Sequence, residues 1–418
     1  MASAAPARKH LRRAIARLAL AGALLAGGGG ESAQAQFNGD FAIRQSRLNL
    51  DNFMDWRAYL PPPAWLLDAY WRPNVLQATV GSISQTRFYF SQSVRLEADL
   101  GRYATFLYDQ EQTELFQPEP IYQEVELRLG VQPWYGSIIG FPTYDKALGN
   151  QGVAVAYGKR TDDTWLRLSQ LEQQALYNDK HSSYGPERFL AYPILNRVEG
   201  RVFLGRRLFV QVDFRDEQPT RFDSPLLAME QRYSGSKLDL ATVWLAREDL
   251  TLGYTLSDNT ERRQQLPYAP SAALPQMAQT LTWGWWEAYG SQRLAGGKVL
   301  TLAWNEARLR NGIQASDSTQ DYLFHLDTSQ VYSLLEIPVS AWFRWNFSLQ
   351  YGQSTLLQRA GFAPDTPLHD AGDKFKFGAG IVLAEADRYR FWFNSTWAPD
   401  AISGQKWDGG NVQLQMFF

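Results

Sequence analysis

Few residues in this 418-residue sequence are spaced for catalysis. It has four histidines, His10, His181, His325 and His369. His181-Ser-Ser183 would pair a base with a nucleophile, but it falls in a long polar stretch, and such triplets are common by chance. No acidic cluster has the spacing of a calcium loop, and no glycine-rich phosphate loop follows a strand. The glycines Gly27 to Gly30 end an apolar leader. Cysteine is absent, which excludes disulfides, Cys-ligated zinc, iron–sulfur centres and covalently attached c-type haem. No cofactor or metal is expected, and neither is catalysis. The residues that remain are charges at every second position: Arg95, Glu97, Asp99, Glu124, Glu126, Arg128, Arg197, Glu199, Arg201, Asp213, Arg215, Lys237, Asp239, Arg344, Lys374, Lys376 and Arg390. His325, alternating with Asp327, is assigned to the same row. A row of both signs suits a water-lined interior, where it sets ion or solute preference. Alternatively its members pair across neighbouring strands and hold the wall, as Arg95–Asp99 facing Glu124–Arg128 would do.

The elements that position these charges have period two. Val94, Leu96, Ala98 and Leu100 alternate with Arg95, Glu97 and Asp99. Val125, Leu127 and Leu129 alternate with Glu124, Glu126 and Arg128. Arg197 to Val202 repeats the pattern, and Leu208 to Arg215 follows after Gly205-Arg206-Arg207, a tight-hairpin spacing. Later examples are Ala341 to Tyr351, Lys374 to Leu383, Tyr389 to Trp397 and Val412 to Phe418. The segments are about 8–12 residues long, what a tilted strand needs to cross the hydrocarbon of a bilayer.

Composition agrees with this pattern. There are 15 Trp, 20 Tyr and 23 Phe, yet mean hydropathy is -0.36. A wet interior with aromatic girdles at two membrane interfaces requires both. Tyr103, Trp134, Trp165, Trp244 and Tyr389 lie near short turns, and Tyr108, Phe214, Tyr254, Tyr351 and Trp397 near long connections. Amphipathic rings at both levels fit two girdles, although aromatics favour strands in any case. The formal net charge is -2, so a nucleic-acid partner is not expected.

Short connections near Gly101, Val131–Pro133, Lys159–Asp163, Gly205–Arg207, Ala246–Asp249 and Ala384–Asp387 alternate with long polar ones. The long ones fall near 111–120, 143–151, 173–189, 217–229, 258–278, 307–319, 353–372 and 398–409. This asymmetry is the one between short periplasmic turns and longer extracellular loops. Counting up and down gives about 18 strands, or 16 if the first pair is absent. Residues 1–35 read as a secretory signal, with basic Lys9, Arg12, Arg13 and Arg17, an apolar Leu18 to Ala26, and Ala33-Gln34-Ala35 for cleavage. An organellar transit peptide is the alternative. No later apolar run of about 18 residues makes a transmembrane helix. Residues 36–73 do not alternate: Leu60-Pro-Pro-Pro-Ala64 breaks them, and Ala64 to Trp71 has the pattern of a short amphipathic helix. They serve either as a lead-in or as an inward plug. Residues 74–418 carry the strand pattern.

The C-terminus is the most specific signal. Asn411-Val-Gln-Leu-Gln-Met-Phe-Phe418 alternates to its last residue, with Val412, Leu414, Met416 and Phe418 on one face. It resembles the closing strand of bacterial outer-membrane β-barrels, the porin-like superfamily, and no particular family within it. The resemblance implies an all-β, antiparallel up-and-down transmembrane barrel. It also implies recognition of Phe418, Met416 and Leu414 by the barrel assembly machinery, and contact with membrane lipid and lipopolysaccharide. The expected location is the bacterial outer membrane, reached after signal cleavage. The expected function is a monomeric or trimeric channel passing small hydrophilic solutes or oligosaccharides passively. The alternative is a non-conducting sheath for a periplasmic or redox partner in an export or electron-transfer complex. The His181/Ser183 triplet is similar to the His-x-Ser arrangement of outer-membrane phospholipases, but it is not placed on a lipid-facing strand.

Overall fold

The computed structural model describes residues 74–417 except 84–86, 115–121, 141–150, 161, 163, 173–187, 192–193, 206, 225–227, 271–274, 317–320, 361–365, 369–373, 386–387 and 400–405. His181, Ser183, His369 and Phe418 lie outside the described residues. In chain order the first ten strands are β1 (Val75–Ile83), β2 (Arg87–Asp99), β3 (Ala104–Glu114), β4 (Tyr122–Val131), β5 (Trp134–Ile139), β6 (Gln151–Tyr157), β7 (Trp165–Glu172), β8 (Arg188–Ala191), β9 (Ile194–Leu204) and β10 (Leu208–Ser224). Then come β11 (Met229–Arg247), β12 (Leu250–Pro267), β13 (Met277–Arg293), β14 (Val299–Ala315), β15 (Tyr322–Pro338), β16 (Phe343–Ala360), β17 (Thr366–Leu368), β18 (Lys374–Glu385), β19 (Tyr389–Trp397) and β20 (Trp407–Phe417).

Every pairing is antiparallel, and β1 pairs with both β2 and β20. The seam runs Val75↔Phe417 to Ile83↔Gly409 and closes the ring without an edge. The short β8 extends β10, and β17 extends β16. The other strands form a closed antiparallel barrel of 18. Closure satisfies every strand's backbone within the wall, the condition for crossing lipid with sheet.

Contacts between non-adjacent strands identify the interior. Arg167 on β7 reaches Glu126 on β4 at 2.9 Å, although β5 and β6 lie between them. Only the concave side allows this. The opposite row, with Trp134, Ile138, Val153, Val155, Leu166 and Leu168, is exposed and apolar, as a lipid-facing surface is.

Strand length divides the ring. β5, β6 and β7 have 6, 7 and 8 residues, whereas β10 to β16 have 17 to 19. A span needs about 9–11, so the long strands project beyond the hydrocarbon at the rim opposite the short turns. This corrects the sequence reading. The polar stretches 217–224, 258–267, 307–315 and 353–360 are strand, not loop. They are polar because they have left the lipid, not because they are irregular. β10 tolerates Pro219 because its register shifts between Glu217 and Thr220, and a bulge needs no ladder donor there.

The outward aromatics mark both boundaries. Trp134 meets Tyr157 edge-on at 5.2 Å by the short turns. Higher on the ring, Trp286 bridges Tyr254 and Trp304, with centroids 6.2 and 5.2 Å away. Of the expected girdle, Trp165 is inward and buried, covered by the Arg160 guanidinium 5.9 Å from its ring. A Cβ on Gly253 would meet the Tyr289 ring, which lies over bare backbone on the neighbouring strand, so a side chain there requires the ring to move.

Candidate functional site

The inward face of β2 to β10 is an ionic mesh. Asp109 of β3 takes Arg95 Nε at 3.2 Å and Arg160 Nη1 at 2.7 Å. Arg160 Nη2 continues to Glu199 of β9 at 2.8 Å. Glu199 also meets Arg167 at 3.6 Å and Arg197 at 2.8 Å. Glu126 joins Arg167 to Arg128, 3.3 Å away, and accepts the Ser137 hydroxyl proton at 2.5 Å. Arg197 grips Asp213 through Nε and Nη2 at 2.9 and 2.8 Å, and Arg215 completes the chain at 2.9 Å. Six guanidiniums thus share four carboxylates, Asp109, Glu126, Glu199 and Asp213. Planar bidentate donors suit such a mesh better than ammonium groups would. The mesh is deep: Arg128 and Arg167 are 1% and 0% exposed.

Arg160 comes from the turn between β6 and β7. Gly158 starts that turn at φ 74°, where a Cβ would lie 2.7 Å from the Thr164 carbonyl oxygen. A left-handed residue without a side chain lets the turn fold over the mouth. Arg201 Nη2 then donates to the Asp162 carbonyl at 2.7 Å, and Lys159 Nζ reaches Asp99 at 2.7 Å. The hydrogen bond to Asp99 raises the Lys159 pKa above its ordinary value. Burial works against the Arg160 charge, yet the Asp109 and Glu199 carboxylates outweigh it and push its pKa well up.

The wall from β13 to β20 differs. Asn305, Thr328, Gln330, Asn346, Ser348, Gln350, Asn394, Thr396, Gln413 and Gln415 are inward and buried. Ionic members are sparse among the described residues: Glu287, Glu336, Arg344, Lys376 and Arg390, with Arg344 3.8 Å from Glu336.

Arg95, Glu97, Asp99, Glu126, Arg128, Arg197, Glu199, Arg201, Asp213, Arg215, Lys237, Asp239, Arg344, Lys376 and Arg390 all stand on the inward row. Lys237 and Asp239 pair at 2.9 Å. Glu124 and Lys374 are strand residues whose side chains lie outside the described set. β3 lies between the segments Arg95–Asp99 and Glu124–Arg128 that were expected to face each other, and Arg95 pairs with Asp109 and Asp99 with Lys159.

His325 is a correction: it faces outward. Tyr322, Phe324, Thr328 and Gln330 occupy the inward row of β15. The other row carries Asp327, which pairs with Arg310 of β14 at 2.8 Å. This part of β15 lies above the girdle, where water replaces lipid and the outward side is the polar one.

Three mesh members were missed from sequence. Arg167 sits in Trp165-Leu-Arg-Leu-Ser169, whose period two would have revealed it. Asp109 opens Asp109-Gln-Glu-Gln-Thr-Glu114, where both alternating rows are polar and period two gives no apolar face to read. Arg160 is in a turn, where periodicity is silent. The C-terminal strand places Met416 and Leu414 outward and Gln413 and Gln415 inward, and the Phe417 N–H donates to the Arg388 carbonyl at 2.8 Å.

Closed wall, apolar outer band, aromatic borders and polar interior define a closed 18-strand antiparallel β-barrel of the membrane-spanning kind. No family model and no curated protein matches the chain. Solved structures with similarity include OccAB1 of Acinetobacter baumannii, at 10% identity and TM-score 0.38 over 82% of this chain and 94% of that one. OccK2 of Pseudomonas aeruginosa, solved in complex with glucuronate, matches at 12% and 0.37 over 82% and 96%. Outer-membrane expressed OmpT of Vibrio cholerae matches at 10% and 0.36 over 82% and 96%. Similarity this distant assigns no residue a role.

Proposed function

We propose that the protein is a passive diffusion channel of the bacterial outer membrane for small hydrophilic solutes or oligosaccharides. The supporting observation is the closed ring of 18 strands with a polar inward row, since barrels of about 16–18 strands leave room for an aqueous path. The mesh braces one side of that path, because most of its charges are neutralised by each other. Delivery uses residues 1–35 as a cleaved signal, and the assembly machinery reads the closing strand, β20, with its outward Leu414 and Met416. Lipopolysaccharide and lipid cover the outer band. Catalysis is no part of this reading.

Liposome swelling with sugars of graded size tests it, using refolded residues 36–418 and residues 74–418. The second chain contains every strand of the closed ring. Size-limited sugar entry through at least one of them is expected. Exclusion of all sugars by both, with each folded and resistant to SDS, would overturn the channel and favour a sheath.

A further inference from the structure

One short turn does not stay at the rim. Leu100 and Tyr103, by the β2–β3 turn, are 64% and 55% exposed, and a Cβ on Gly101 or Gly205 would meet nothing within 4 Å. The turn from β6 to β7 instead leans inward. Its Arg160 is 5% exposed and contacts Asp109 of β3 at 2.7 Å and Glu199 of β9 at 2.8 Å. Those carboxylates are five strand steps apart around the wall, β3-β4-β5-β6-β7-β9, about 24 Å of arc at ~4.8 Å per step. One guanidinium reaches both only by standing off the wall, toward the barrel axis. It also stands deep. Asp109 and Glu199 each lie five residues inside the short-turn end of their strand, counted from Ala104 and from Leu204.

We propose that this turn is a fixed ledge that narrows the channel from its short-turn side, with Arg160 as the positioning residue that anchors it. The proposal rests on the channel reading above and specifies where its size limit is set. The turn is held from three directions. The Gly158 N–H donates to the Pro133 carbonyl at 2.7 Å, at the neighbouring β4–β5 turn. Lys159 Nζ crosses to Asp99, at the end of β2, at 2.7 Å. Arg201 Nη2 donates to the Arg160 and Asp162 carbonyls at 3.3 and 2.7 Å. The turn is also closed on itself: the Lys159 N–H donates to Asp162 Oδ2 at 2.8 Å and the Asp162 N–H to the Lys159 carbonyl at 2.9 Å. Behind the ledge the interior is filled, since Arg128, Arg167, Glu126 and Glu199 are at most 3% exposed. Solutes therefore pass on its far side, where the wall from β13 to β20 carries mostly neutral amides and hydroxyls. The edge of the ledge is the Lys159–Asp99 pair, 25% and 57% exposed. A solute meets an ammonium and a carboxylate that neutralise each other there, so the ledge sorts by size more than by charge.

Two measurements decide it, both on residues 36–418. In single-channel recording, Lys159→Cys is treated from either chamber with a bulky aqueous maleimide, the chain having no native cysteine. A stepwise loss of unit conductance is expected, and none for Arg207→Cys on the exposed turn between β9 and β10. No loss at Lys159→Cys, or an equal loss at both positions, would overturn the proposal. Arg160→Ala, which releases the anchor, is expected to raise the unit conductance and to admit sugars that the parent excludes. An unchanged size limit would likewise overturn it. The second measurement needs neither conductance nor the Arg160 variant. Asp99→Cys with Lys159→Cys, in the folded and SDS-resistant barrel, is treated with a short bis-maleimide. An intramolecular crosslink is expected, and none for Asp99→Cys with Arg207→Cys. A crosslink in a barrel that never conducts would keep the ledge and sink the channel. Conductance without a crosslink or a block would keep the channel and sink the ledge.

Discussion

The short-strand side, β4 to β7, and the tall side, β10 to β16, use the same alternation for different ends. On the short side the whole strand lies at membrane level: outward Leu166 and Leu168 are exposed, and inward Arg167 is buried in the mesh. On the tall side the code inverts partway up. In β14 the outward row runs from Leu302 and Trp304 to Glu306, Arg308 and Arg310, while the inward row ends in Leu309 and Ile313. Leu309 and Ile313 pack with Tyr322 and Phe324 of β15. Period two therefore tells which residues share a face. Which face is wet depends on height relative to the lipid.

The largest contrast is expected between ion pairs on the two sides. Arg167→Ala removes one guanidinium from Glu126, which keeps Arg128, and from Glu199, which keeps Arg160 and Arg197, so about 3 kcal/mol is expected, the low end of the cost of losing a partner in a buried pair. Arg310→Ala breaks an outward, solvent-facing pair with Asp327, where about 0–1 kcal/mol is expected. Equilibrium urea unfolding of the refolded barrel measures both, and equal losses would break the comparison. Next comes the outer face: Leu302→Arg puts a charge in the apolar band at about 2–4 kcal/mol, while the native Arg308 sits above it without penalty. A Leu302→Arg barrel as stable as the parent would mean the band is not in lipid. Smaller again, Gly253→Val overpacks against Tyr289 and should cost about 1–3 kcal/mol, with Tyr289→Ala in the same chain recovering part of the loss.

The sequence made the short side and the seam legible. Glu126 and Arg128 were assignable from alternation alone, and so was the closing strand from Val412 to Met416. On the tall side the same rule misassigned His325 and turned the upper strands into loops, because polarity on the outward row was read as absence of strand. Arg160 was out of reach for a different reason. Its place depends on Gly158 folding a turn inward and on carboxylates from β3 and β9, contacts that span far more chain than any local pattern covers.

The most direct test of this account is a single-cysteine scan along β15 in proteoliposomes, clean because the chain has no native cysteine. Val331→Cys, Ser333→Cys and Leu335→Cys are expected to resist an aqueous maleimide and to respond to a lipid-soluble quencher once labelled. Asp327→Cys and His325→Cys are expected to react rapidly with the aqueous reagent. Aqueous reactivity at all five positions would contradict a membrane-spanning wall whose outward face changes character above the girdle.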